Sequence, residues 1–173
     1  MKRFWLYLLI VLAAVAARLV PHVWNFAPVS AVAIVAAVYL PLRQAFILTF
    51  AVRFLSDAIL GFFSWPLMVA VYASHLFGVG LGAWVGRKKN FFRIMSAPLA
   101  ASALFFLVTN FAFFYPTYEH NLDGVILSYV NGLPFLRGTV LGDLFYTVVL
   151  IYGLEAVLSL ARKRIARPKT LKI

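Results

Sequence analysis

Apolar residues fill six long runs of this chain, and short turns that are polar or contain proline separate them. The runs lack the strict alternation of barrel strands, and open sheet edges are not stable in lipid. A transmembrane helix needs roughly 20 apolar residues. The pattern therefore predicts an all-α integral membrane protein that forms a six-helix bundle. The predicted spans cover about residues 4–19, 28–40, 44–60, 67–85, 94–114 and 136–160, with a surface segment at about 119–135.

Composition agrees with this prediction. Hydrophobic residues make up 64% of the 173 residues, only 12% are charged, and the mean hydropathy is +0.95. Six spans use nearly all of the chain, so we expect residues 1–173 to form a single transmembrane domain. The first run, with Lys2 and Arg3 before it and Ala14 to Ala16 near its end, also resembles a cleavable signal peptide, an alternative that stays open.

The charged residues predict how the bundle is oriented. The net charge is +11, and most of the cations lie in alternate turns or at the chain ends, as the positive-inside rule requires. This distribution predicts cytoplasmic N and C termini in a lipid bilayer and no nucleic-acid partner. The predicted cytoplasmic cations are Lys2, Arg3, Arg43, Arg87, Lys88, Lys89, Arg93 and the cluster Arg162, Lys163, Arg164, Arg167, Lys169 and Lys172.

Unusual polar residues gather in the outer third of the predicted bundle. Charges inside a bilayer are costly, and they usually face a partner or a cavity. This set predicts either a solute-binding site or a group of ion pairs, with Arg53 bound to Asp57 and with Arg18 or Arg137 bound to Asp143. The candidates from position alone are Arg18, His22, Trp24, Asn25, Asp57, Ser64, Asn110, Arg137 and Asp143.

The fourth span carries two further features. Ser74, Gly78, Gly82 and Gly86 recur every four residues and give one helix face without bulk. This face fits either packing within the bundle or docking of another protein, and the first is favoured. His75 is alone in the middle of the span, and we expect a packing histidine with its hydrogen bonds satisfied.

Catalytic chemistry is hard to find in this sequence. It has no HExxH, GxSxG or P-loop motif and no cysteine, which excludes thiolate metal sites. Asp57 and Asp143 have no evident nucleophile or metal beside them. We therefore expect no enzyme, metal or cofactor.

Four blocks of sequence carry a resemblance to a known group of proteins. They are RLVPHVWNFAPV at 18–29, SDAILGF at 56–62, FLVTNF at 106–111, and PFLRGTVLGD at 134–143 with Tyr146 and Thr147. Together they resemble a family of small bacterial membrane proteins that is similar to the substrate-binding S components of energy-coupling factor (ECF) vitamin transporters. The resemblance spans most of the chain.

The resemblance implies a multi-pass protein of the bacterial inner (cytoplasmic) membrane that binds a vitamin-like small molecule from outside. It implies that Ala13 and Ala17 face an ECF transmembrane coupling subunit, with ATP hydrolysis supplied by partner ATPases. A cobalamin-type solute would lack the cysteine ligand of one relative, although His22 offers a substitute. The implied solute-binding residues are His22, Trp24, Asn25, Asp57, Asn110, Arg137, Asp143 and Tyr146.

Two other functions compete with solute uptake. A structural or assembly subunit of a membrane complex would bury the Ser74 to Gly86 face against a partner and have no outer cavity. A small membrane enzyme would bring Asp57, Asp143 and His22 within hydrogen-bond reach of one another.

Overall fold

A computed structural model describes residues 2–20 and 25–166 of the chain. Within these residues the protein is all-helical, with six helices and no strands. The helices are α1 (Lys2–Leu19), α2 (Val29–Tyr39), α3 (Leu42–Leu60), α4 (Trp65–Arg87), α5 (Phe91–Thr117) and α6 (Leu122–Ala166).

Prolines and glycine set several of the helix ends. α2 follows Pro28 and ends at Tyr39, since Leu40 is extended ahead of Pro41. α3 ends at Gly61, whose positive φ of 103° is open to glycine and strained for other residues. Pro66 lies in the first turn of α4, where its missing N–H removes no helical hydrogen bond.

The predicted surface segment at 119–135 is wrong. Residues from Leu122 onward belong to α6, a continuous helix of 45 residues. Ser128 Oγ donates to the Asn110 carbonyl and Tyr129 OH to the Leu107 carbonyl, both over 2.9 Å. These bonds fix the first third of α6 against α5.

The short helix α2 occupies the centre of the bundle. Its side chains at Ala31, Ala33 and Ile34 are fully buried, and it packs against α3, α4, α5 and α6. It also contributes to a core cluster with Val11, Ala14 and Val15 of α1. At about 1.5 Å per residue, its 11 residues are about 16 Å long, about half the thickness of a bilayer core.

The small-residue face of α4 is the surface on which α2 packs. A Cβ atom at Gly82 would collide with the Ile34 carbonyl, and one at Gly78 would lie 3.1 Å from the Ala33 Cβ. Gly86 lies against Val38 in the same register. The Ser74 to Gly86 face is therefore used for packing within the bundle, as favoured from the sequence.

Contacts between helix ends define two distinct ends of the bundle. Lys89, Tyr39 and Glu155 meet at one of them: Lys89 forms an ion pair with Glu155, and Tyr39 OH donates to the same carboxylate over 2.7 Å. We name this the basic end. The opposite end, where α1 and α3 finish and α2 and α4 begin, is the site end.

Apolar surface covers the outside of the bundle while charged groups lie inside it. Exposed residues include Phe46, Ile47, Phe50, Leu107 and Phe111, whereas Arg53, Asp57 and Asp143 are buried. Among the described residues, three helical stretches are long and apolar enough to cross a membrane: Trp65–Arg87, Phe91–Ala112 and Leu122–Leu160. This inverted distribution is typical of a membrane protein.

Candidate functional site

A cavity with two lobes opens within the site end. The charged lobe is about 210 Å³, and the aromatic lobe beside it is about 360 Å³. Asn25, Phe105 and Thr139 line both lobes, so the two spaces are neighbours. Volumes of this size fit a small organic molecule.

Two arginines line the charged lobe, and one aspartate behind them holds both. Arg18, at the end of α1, donates from Nη1 to Asp57 Oδ1 over 2.7 Å and also to Ser56 Oγ. Arg53 donates from Nε to Asp57 Oδ2 over 2.8 Å, one helical turn before it on α3. Asp57 is 1% exposed, so both of its oxygens are held by guanidinium groups away from water.

His75 forms part of the wall of the charged lobe. Its Nδ1 lies 3.3 Å from Ser30 Oγ, at the start of α2, and its ring stacks on Phe105 with centroids 5.0 Å apart. The other ring nitrogen, Nε2, is buried and has no hydrogen-bond partner among the described residues. The prediction of a fully satisfied packing histidine is therefore wrong.

Asp143 brings a carboxylate from α6 to the same lobe. It is 2% exposed, and Ser102 Oγ of α5 donates to its Oδ2 over 2.8 Å. Ser30 is a further neutral neighbour of this carboxylate. No described cation forms an ion pair with Asp143, so the predicted pairing of Asp143 with Arg18 or Arg137 is wrong. Arg18 binds Asp57 instead, because α1 packs against α3.

The aromatic lobe lies between α4, α5 and the first part of α6. Its walls are apolar at Leu67, Val71, Phe105, Phe106, Phe135 and Leu136, and amides and hydroxyls interrupt them. Asn110 is held in place there: its Nδ2 donates to the Phe106 carbonyl over 2.8 Å, and its side chain packs against Gly132. The polar groups of this lobe are Asn25, Thr109, Asn110, Tyr118, Ser128, Asn131 and Thr139.

Asn25 stands where the two lobes join. Its φ of 59° is left-handed, a conformation that asparagine tolerates better than most residues. Its backbone carbonyl accepts from the Ala27 N–H over 2.9 Å, which closes a tight turn before α2. The turn lies on Gly142 of α6, where a Cβ would come within 3.1 Å of Phe26 and Ala27. Backbone geometry thus fixes the position of this amide.

The structure brings together only part of the predicted solute-binding set. Asn25, Asn110 and Asp143 line the cavity, and Asp57 lies behind the two arginines that line it. Tyr146 packs on Phe26 with ring centroids 5.4 Å apart and is not a lining residue. Arg137 is exposed on α6 and also lines neither lobe. His22 and Trp24 lie outside the described residues.

The predicted docking residues on α1 differ in exposure. Ala13 is exposed and Ala17 is half-buried, while Ala14 and Val15 face the core. The exposed face also carries the large side chains Leu9 and Leu12.

Several lining residues were missed or misjudged from the sequence. Arg18 was only a member of the outer polar set and an ion-pair partner, and Arg53 only an ion-pair partner, although both line the charged lobe. Ser30 and Phe105 gave no signal of their own, because a serine in an apolar helix satisfies itself easily and a phenylalanine in one is ordinary. His75, alone in an apolar span, was the sequence feature that could have indicated a polar cavity beside α4. Among the described residues, no group of three or more His, Asp or Glu side chains is placed to hold a metal ion.

The family match covers nearly the whole chain. Residues 1–167 match the model of DUF6580, a family of unknown function. The chain therefore belongs to this family. No curated protein and no solved structure matches it.

Proposed function

We propose that this member of DUF6580 is an S-component-like membrane subunit that captures a vitamin-like small molecule for uptake. The observation that carries the proposal is the cavity with two lobes, in which charged and amide side chains from four helices and one loop line an otherwise apolar space. Solute sites in proteins are built in this way, with few polar groups on apolar walls. The resemblance to S components, drawn from the sequence blocks, supports the same function.

In this proposal the bundle crosses the bacterial inner membrane six times, with the site end outside and both termini in the cytoplasm. The solute enters from outside, and a partner ATPase module supplies energy through a transmembrane coupling subunit. Docking on that subunit uses the exposed face of α1 around Ala13, with Ala17 at its border. The charge pattern supports this orientation, because Lys88 and Lys89 lie at the basic end.

Single introduced cysteines test the orientation directly, since the chain has none of its own. We expect Glu119→Cys, in the turn after α5, to react in intact cells with a maleimide that cannot cross the membrane. We expect Lys88→Cys, after α4, to react only after the cells are opened. The reverse labelling would place the cavity on the cytoplasmic side and contradict uptake from outside.

Binding variants test the site. Asp143→Asn keeps the shape of the side chain and removes its charge, and Asn25→Ala removes the amide between the lobes. If the solute contacts both groups, each variant should weaken binding by about tenfold, since a hydrogen bond to a buried group is worth about 1–3 kcal/mol. The measurement is isothermal titration of the detergent-purified variants with solute released from the wild-type protein.

Arg137→Gln provides the matched control, because Arg137 is exposed on α6 and lines neither lobe. Its affinity should stay within twofold of the wild type. Unchanged affinity in both Asp143→Asn and Asn25→Ala would remove this cavity as the site.

Two observations support the uptake proposal over the competing functions. The Ser74 to Gly86 face that an assembly subunit would bury against a partner is occupied by α2. An enzyme that used Asp57 as acid or base would need a free carboxylate oxygen, but Arg18 and Arg53 hold both.

A further inference from the structure

Among the described residues, three groups on the wall of the charged lobe lack a partner that balances their charge or completes their hydrogen bonds. They are the terminal amines of Arg53, the carboxylate of Asp143 and Nε2 of His75. Buried polar groups in proteins nearly always have hydrogen-bond partners, and buried charges have counter-charges. Each of the three therefore indicates a group that a bound solute supplies.

Arg53 presents unused donors. Its guanidinium group has five N–H bonds, and among the described residues only Nε donates, to Asp57. The rest of the group lies near two aromatic rings, with Cζ 5.6 Å from the Phe63 centroid and 5.7 Å from the Tyr72 centroid. Cation–π contacts of this kind are weak, and the terminal N–H groups can still donate to a hydrogen-bond acceptor. Arg18 and Arg53 share one carboxylate, so this wall carries a surplus positive charge.

Asp143 is a carboxylate without a cationic partner among the described residues. Its described polar neighbours, Ser102 and Ser30, are neutral hydroxyls, and neither balances a negative charge. The carboxylate lies on α6, whereas Arg53 lies on α3, so the lobe has a positive and a negative wall on different helices. The charged lobe is therefore dipolar.

His75 lines the same lobe as these two charged groups. Its Nδ1 lies 3.3 Å from Ser30 Oγ, and Arg18 and Arg53 line the same lobe. Nε2 can donate or accept according to the tautomer, so it can pair with either kind of solute group.

We propose that the charged lobe binds the amphoteric end of the solute, with an acid group on Arg53 and an N–H donor or ammonium group on Asp143. The inference rests on the proposed uptake function and specifies the chemical class of its solute. The apolar part of the same molecule occupies the aromatic lobe against Phe105 and Phe106. Simple anions, simple cations and uncharged lipids each leave at least one of the three groups without a partner.

Three probes that each carry a phenyl ring distinguish amphoteric, anionic and cationic solutes. Phenylalanine carries both charges, 3-phenylpropionate carries only the acid, and phenethylamine carries only the amine. Isothermal titration of the full-length protein in mild detergent should give phenylalanine a Kd about tenfold below that of either other probe, because it gains one additional charged hydrogen bond. All three are small enough for the lobes.

Two variants that remove a charge test which wall binds the acid group and which binds the amine of the probe. Asp143→Asn should remove the preference of phenylalanine over 3-phenylpropionate. Arg53→Gln should remove its preference over phenethylamine, while Arg18 still binds Asp57. If Arg53→Gln does not fold, Arg53→Lys keeps the charge and has three donors in place of five, and it should reduce the same preference. Glu155→Gln removes a carboxylate at the basic end and should leave the order of the probes unchanged.

Several outcomes would overturn the inference. They are equal affinities, tightest binding by a probe with a single charge, no binding of any probe, or a probe order that Asp143→Asn leaves unchanged. A solute that co-purifies with the protein but lacks either the acid or the N–H donor would overturn it while leaving the uptake function intact. An empty protein that also binds no probe would count against both.

Discussion

Replacing Gly82 by alanine should destabilise the bundle by at least about 2–3 kcal/mol. The added Cβ would meet the backbone carbonyl of Ile34, on the central helix α2, closer than atoms can approach. Backbone cannot rotate away as a side chain can, so α2 and α4 must separate. Because α2 also contacts α3, α5 and α6, the separation would disturb the whole core. The measurement is thermal unfolding in detergent, with an expected fall in Tm of roughly 5–10 °C.

Gly80 provides the matched control on the same helix. A Cβ at Gly80 has nothing within 4 Å, so Gly80→Ala should leave Tm unchanged or raise it, because alanine favours helix over glycine by about 1 kcal/mol. Equal Tm values for Gly80→Ala and Gly82→Ala would show that the α2–α4 contact is not as close as described.

Asp57→Asn should be the most destabilising change of charge in the described part of the chain. It leaves Arg18 and Arg53 buried beside each other without a counter-charge, and removing one partner of a buried ion pair costs about 3–5 kcal/mol. The amide has one acceptor oxygen in place of two and carries no charge to balance either guanidinium. We expect a lower Tm and a smaller yield of folded protein after extraction, both followed by size-exclusion chromatography.

Glu155→Gln is the control for Asp57→Asn. It removes a carboxylate from an exposed ion pair and so tests whether burial causes the large loss of stability expected for Asp57→Asn. The Lys89–Glu155 ion pair has about two-fifths of each side chain exposed, and an exposed pair contributes at most about 1 kcal/mol. A small change in Tm for Glu155→Gln and a large one for Asp57→Asn is the expected result. If the two changes were similar, the Arg18–Asp57–Arg53 cluster would not be a buried unit.

Hydrophobic patterning predicted most of the fold. The six apolar runs correspond to the six helices, and the predicted span 28–40 differs from α2 by one residue at each end. Prolines and Gly61 made these boundaries readable, since their effects on the backbone are local. The start of α6 was missed, because Asp123, Asn131 and Pro134 resemble loop residues until α5 is in place to bind this stretch.

The sequence predicted which end of the bundle holds the polar residues. It predicted less well which of these residues contact one another. Asn110 and Asp143 were identified because polar groups are rare and costly in apolar helices, and Asn25 because its polar, proline-containing loop lies between two apolar runs. Which charges pair depends on helix packing, and sequence spacing reveals only neighbours on one helix. It therefore gave Arg53–Asp57, four residues apart, and missed Arg18–Asp57, 39 residues apart. The roles of Ser30 and Phe105 follow from the central position of α2, which no local pattern predicts.

Native mass spectrometry of the protein, extracted in mild detergent from its own host, tests the central claim most directly. The uptake function predicts a population that carries one small organic molecule per chain, and Asp143→Asn should lower the occupied fraction. The released molecule should contain an acid group and an N–H donor. Wild-type protein without any bound molecule, together with no gain in mass when it is incubated with a host-cell extract of small molecules, would contradict the claim that this cavity captures a solute.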